Sequence, residues 1–144
     1  LCYDIQPNVG DTFAKQVSLN TLQKEADIIS LHVPETPLTT PIINDAFINA
    51  VAKPFWLINT ARGKNVVTKD LINGLKKNKV KGACLDVLEY EKSSFEQAEL
   101  NQDELTYLLN SDKVILSPHI AGWSHQSKIK LAKTIVEKVK KIFF

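Results

Sequence analysis

Arg62 and Gly63 follow the apolar run "FWLINTA" (Phe55 to Ala61), and His119 stands in "SPHIAGW" between Pro118 and the Ala121-Gly122 pair. A strand gains nothing from an arginine, so Arg62 is either a strand-end salt bridge or a rigid fork aimed at an anion such as a carboxylate. Gly63 would permit a close turn or a positive φ and let the backbone approach a ligand. Histidine, with an unperturbed pKa of about 6.5, suits proton transfer at neutral pH, and a neighbouring carboxylate would hold its tautomer. Acids for that purpose lie in "DVLEYE", which supplies Asp86, Glu89 and Glu91. A lone histidine is more often structural, but Arg62, His119 and either Glu89 or Glu91 on one rim would make a carboxylate clamp beside an acid–base group.

Such a set works only if the fold gathers it. "ADIISLHV" (Ala26 to Val33), "FWLINTA", "VKGACLDV" (Val80 to Val87) and "KVILS" (Lys113 to Ser117) are continuous apolar runs, the pattern of parallel strands covered on both faces. Between them lie helix candidates: "SLNTLQKEA" capped by Ser18 or Asn20, "NDAFINAVA" from Asn44, and "TKDLINGLKKNK" capped by Thr68 and closing in lysines. This alternation predicts an α/β fold with a doubly wound parallel sheet. Ligands on such sheets bind at the carboxyl ends of the strands. "LCYD" reads as a first partial strand, so that rim would collect Asp4, His32 and Pro34, Arg62 and Gly63, Asp86 with Glu89 and Glu91, and His119.

At 144 residues, 44% hydrophobic and 24% charged, the chain can bury one core, and a formal net charge of +2 does not point to nucleic acid. Cys2 and Cys84 form no C-x-x-C or Cys/His cluster, so neither a metal nor a disulfide framework is predicted, and a reduced, cytoplasmic setting is the default. No apolar run nears the length of about 20 residues that a membrane span needs. Leu88 to Gln102 reads as a long polar connection. Ser124 to Phe144 reads as an amphipathic helix with Ile129, Ala132, Ile135, Val136, Val139, Ile142 and Phe143 on one face. The expected organisation is residues 1–122 as a partial ligand-binding domain and 123–144 as a helix that packs on it or reaches beyond it. His125 is expected at the surface, and Cys2 and Cys84 in the core.

The ordered set "ADIISLHVPETPLT", "KPFWLINTARG", "VKGACLDVLEYE" and "VILSPHIAG" resembles the NAD-binding domain of the D-isomer-specific 2-hydroxyacid dehydrogenases, from Asp4 to about Gly122. The resemblance implies a Rossmann-like domain and transfer of a hydride between NAD(H) and a D-2-hydroxy or 2-keto acid. It implies that Arg62 binds the substrate carboxylate, that His119 exchanges the substrate proton, and that Glu91 rather than Glu89 orients the histidine. It assigns Asp4 to the adenosine ribose, His32 and Pro34 to the adenine side, and Thr60, Ala61 and Asp86 to the nicotinamide, with Gly122 also beside the cofactor. An acid at Asp4 would favour NAD over NADP. A homodimer through the cofactor domain is implied as well.

The family's glycine-rich loop, first strand and substrate domain have no counterpart here. The sequence therefore reads as part of a longer enzyme, inactive alone. Lys92 replaces a usual proline and Phe55 a usual glycine, while Trp123 either narrows the substrate pocket or packs at a helix start. Two alternatives go with the resemblance: a corepressor-like protein that senses NAD without turnover, and a dimerisation fragment.

Overall fold

The computed structural model describes residues 1–90 and 102–143. Helix α1 (Leu19–Glu25) leads to β1 (Ile28–Leu31), α2 (Asp45–Ala50) to β2 (Phe55–Asn59), α3 (Thr68–Lys76) to β3 (Val80–Leu85), and α4 (Gln102–Asn110) to β4 (Val114–Leu116); α5 (His125–Phe143) closes the chain. The four strands form one parallel sheet in the order β1-β2-β3-β4. Every expected helix and each of the four apolar strands forms. Helix α4 was not expected, although Leu105 and Leu108 at helical spacing signal it; Leu108 is buried and Leu105 packs on the core.

Caps show how the helices begin. Ser18 Oγ accepts from Thr21 N and Asn44 Oδ1 from Phe47 N, as their side chains predict. Helix α3 differs. Thr68 is its first helical residue, not its cap, and the Thr68 amide donates instead to Glu89 Oε2 at 2.7 Å. A carboxylate from the loop after β3 thus serves both the orphan amide and the positive end of the helix.

The strands are mostly apolar, yet among the described residues only one face of the sheet is largely buried. Ile29, Leu57 and Ala83 on that face are in register and buried beneath α2 and α3, and full burial of side chains the size of Ile29 and Leu57 contributes about 1.5–3 kcal/mol each. On the other face Ile28, Trp56 and Ile115 are exposed and Ile58 and Cys84 half-buried, so the expected covering of both faces does not hold among the described residues. Cys2 is half-buried too, and neither cysteine lies in the core as expected.

"LCYD" does not join the sheet. Cys2 makes an isolated parallel bridge to Gln16, and Asp4 folds into a turn in which Gln6 N donates to its Oδ1 at 2.8 Å. Between this segment and β1 lies a cavity of about 490 Å³. Helix α5 has no buried residue, and its apolar face, expected either to pack on the body or to reach beyond it, is exposed along its length among the described residues. Among the described residues no helix is long and apolar enough to cross a membrane.

Candidate active site at the strand ends

Register builds the site. Leu31, Asn59, Leu85 and Leu116, the last residues of the four strands, pair in one row across the sheet. The next residues, His32, Thr60, Asp86 and Ser117, therefore emerge along one rim. Asn59 is fully buried, and its side chain shapes the turn that follows: Nδ2 donates to Arg62 O at 3.0 Å and Oδ1 accepts from Ala61 N at 3.1 Å. This turn presents Thr60 and Arg62 to solvent over a buried Ala61. Arg62 donates through Nη1 to the Ala61 carbonyl at 2.7 Å, and among the described residues no carboxylate pairs with its guanidinium. Among the described residues, then, a strand-end salt bridge is not what occupies it.

Gly63 has no positive φ; its requirement is space. A Cβ there would stand 1.8 Å from Leu88 O and 2.9 Å from Glu89 N, so the Arg62 turn and the acidic loop after β3 are packed backbone to backbone. Glu89 is committed to the start of α3, while Glu91 lies outside the described residues.

Asp86 ties the next two strand ends together. It is 3% exposed, its amide donates to Asn59 O at 2.9 Å, and its carbonyl accepts from His119 N at 2.9 Å. Its carboxylate accepts from Ser117 Oγ at 2.6 Å and from the amides of Ile120 and Ala121 at 2.9 Å each. Burial by itself would raise this carboxyl, but the Ser117 hydroxyl, the Ala121 and Ile120 amides and the nearby His119 together hold it below its ordinary value of 3.8. His119 is exposed and adopts φ 58°, a left-handed conformation uncommon outside glycine and found disproportionately at functional sites. Arg62, Asp86 and His119, expected on one rim, are thus joined through Asn59 by a continuous chain of hydrogen bonds. Gly122 and Trp123 follow in the exposed exit from this loop.

Asp4 and His32, from separate segments, line the same cavity of about 490 Å³. His32 Nε2 bonds Ser30 Oγ at 2.9 Å, and the exposed Pro34 accepts from Thr39 Oγ1 at 2.5 Å. The exposed Asp4 carboxylate, facing His32 at the end of β1 across a partly apolar cavity, fits a sugar hydroxyl pair beside an aromatic ring, so the residues present suit an adenosine. Among the described residues no group of three His, Cys, Asp or Glu side chains is placed to hold a metal. Asn59 and Ser117 are the site residues that the sequence reading missed. The only signal for each was a polar side chain closing an apolar strand.

The sequence profile described as "D-isomer specific 2-hydroxyacid dehydrogenase, NAD binding domain" matches residues 1–121. The chain is 36% identical over 137 residues to D-3-phosphoglycerate dehydrogenase of Haemophilus influenzae, covering 94% of this chain and 32% of that protein. It is 36% identical over 136 residues to glyoxylate reductase of Korarchaeum cryptofilum, covering 94% and 37%. Among solved structures it superposes with a TM-score of 0.74 and 33% identity on D-lactate dehydrogenase from Aquifex aeolicus complexed with NAD and lactic acid, over 98% of this chain and 45% of that one. The NAD-complexed D-isomer specific 2-hydroxyacid dehydrogenase from Lactobacillus delbrueckii ssp. bulgaricus gives 0.77 and 32%, over 96% and 44%. The chain spans roughly a third of the length of the curated relatives it matches. With four parallel strands delivering Arg62, Asp86 and His119 to one rim, and with this match over most of its length, the chain belongs to the NAD-binding domain family of the D-isomer specific 2-hydroxyacid dehydrogenases.

Proposed function

We propose that this protein is an NAD-dependent oxidoreductase that interconverts a D-2-hydroxy acid and its 2-oxo acid. The observation that carries the reading is the hydrogen-bonded convergence of the Arg62 turn and the His119 loop on Asp86, at the carboxyl ends of three adjacent strands. The nicotinamide supplies the two-electron chemistry that no side chain provides. Asp4 accepts the adenosine ribose hydroxyls, and its charge favours NAD over a 2′-phosphorylated cofactor. His32 and Pro34 line the adenine side, while Thr60, Ala61, Asp86 and Gly122 flank the nicotinamide end.

Arg62 has its guanidinium free of carboxylates among the described residues, so it can grip the substrate carboxylate and fix which face of C2 is presented. In the reducing direction the protonated His119 ring gives its proton to the 2-oxo oxygen as negative charge develops there and is left neutral, and in the oxidising direction the neutral ring takes the proton from the hydroxyl. Glu91 orients that imidazole. The substrate class is a small 2-oxo acid, with homodimerisation through this domain and a cytoplasmic setting as further parts of the reading.

The test is NADH consumption by the complete natural chain with glyoxylate, pyruvate, hydroxypyruvate and phosphohydroxypyruvate, repeated with His119→Ala. Removal of an acid–base group should cost about 10²–10⁴ in kcat and leave NADH affinity nearly unchanged. An alanine variant as active as the parent would refute the role of His119. NADH binding without turnover of any of these acids would favour a nucleotide-sensing protein.

A further inference from the structure

We propose that Asp86 and Ser117 form a clamp that sets the conformation of the loop carrying His119, making both of them positioning residues of the proton-transfer step. The inference rests on the dehydrogenase reading for its kinetic consequence and on the loop geometry alone for its structural one. His119 is bracketed on both sides. Before it, Ser117 is anchored through its amide to Leu85 O at 3.0 Å and through its hydroxyl to Asp86 Oδ1 at 2.6 Å. After it, the amides of Ile120 and Ala121 donate to Oδ1 and Oδ2 at 2.9 Å each, and the His119 amide itself reaches Asp86 O at 2.9 Å. One buried residue therefore takes up the three consecutive amides of residues 119–121.

Such over-determination is what a histidine at φ 58° requires. A left-handed non-glycine residue relaxes to the common basins unless its neighbours forbid it. Bonds to a charged acceptor are roughly twice as strong as neutral ones, and the carboxylate is held in its charged form. The clamp has its own anchor, because the Asp86 amide is bonded to Asn59 O in the strand that shapes the Arg62 turn. Proton donor and anion fork are thereby referred to the same buried residue, the His119 loop through its carboxylate and carbonyl and the Arg62 turn through its amide.

The test uses the complete chain with Asp86→Asn, Ser117→Ala and Ser117→Thr, reading amide hydrogen exchange at Ile120 and Ala121 together with kcat and the KM values for NADH and the 2-oxo acid. Asparagine turns one acceptor into a donor that faces an amide donor. Exchange at the two amides should therefore quicken by about tenfold or more and kcat should fall by a similar factor, while KM for NADH should stay within about threefold in Ser117→Ala, which leaves the Asp86 carboxylate at the nicotinamide end in place. Ser117→Ala should produce the same pattern at smaller amplitude, and Ser117→Thr, which keeps the hydroxyl, should restore it. Should Asp86→Asn fail to fold, the serine pair carries the test, since Ser117→Ala leaves the carboxylate and its amide bonds in place.

Unchanged exchange and kcat in these variants would overturn the clamp. So would a rise in KM for NADH with exchange protection intact, which would make Asp86 a cofactor contact and nothing more. If the parent enzyme consumes no NADH with any 2-oxo acid, the dehydrogenase reading fails by itself. The exchange comparison then still decides the clamp, faster exchange supporting it and unchanged exchange overturning it.

Discussion

A Cβ at Gly63 would meet Leu88 O at 1.8 Å and Leu88 C at 2.2 Å, and both are backbone atoms that no rotamer change can move. Gly63→Ala should therefore push the loop after β3 away from the Arg62 turn and cost about 1–3 kcal/mol, read as a lower urea midpoint at unchanged slope. Asn59 makes a related case. Asn59→Ala leaves the buried Ala61 amide without its acceptor, a loss of about 1–3 kcal/mol, and also loosens the turn that aims Arg62. Substrate KM should rise more than cofactor KM in that variant.

Asp86 adds a pH dependence whose sign follows from its lowered carboxyl. A depressed folded-state pKa contributes stability that is fully present above the ordinary value of 3.8 and is lost as pH falls through the lower folded value. Stability curves of the parent and Asp86→Asn should therefore converge as the pH drops below 3.8 and separate above it. Parallel curves across that window would sink the assignment.

Among elements, α3 carries an unusual start, with Val67 as a cap that offers no side-chain bond and Glu89 supplying the acceptor from another loop. Glu89→Ala should cost about 1 kcal/mol through the lost cap and dipole interaction, measurable by thermal or urea unfolding. Glu89→Gln should recover part of it, since an amide oxygen still accepts. Because this carboxylate is spent on the helix, of the two glutamates in "DVLEYE" Glu89 has a structural task independent of any substrate. Helix α5 shows the opposite situation: its periodicity predicted a helix and the helix forms, but among the described residues its apolar face touches no core.

At the scale of the whole molecule the sheet is lopsided. Ile29, Leu57 and Ala83 fill one face, whereas Ile28, Trp56 and Ile115 stand on the other at 61%, 47% and 68% exposure. Leu57→Ala should cost about 2–5 kcal/mol by opening a cavity in the core. Ile115→Thr, one strand position away from a buried row, should fall within about 0.5 kcal/mol of the parent. Equal destabilisation by both would mean that the second face is covered in solution.

Much of this was readable in the chain. Local apolar runs determined the four strands, 3.6-residue periodicity and caps determined most helices, and the rule that ligands meet the carboxyl ends of parallel strands suffices to bring Arg62, Asp86 and His119 to one rim. Those are properties of short windows and of connection topology, which neighbours in sequence suffice to set. Tertiary structure alone decided the rest: that "LCYD" stays outside the sheet, that Glu89 and not Thr68 caps α3, that Gly63 is demanded by Leu88 and not by its own φ, and that Asp86 holds the left-handed His119 loop. In each of these the deciding contact joins segments far apart in the chain or depends on which backbone packs against which. A sequence names the groups that can bond, but their partners exist only once the strands are in register.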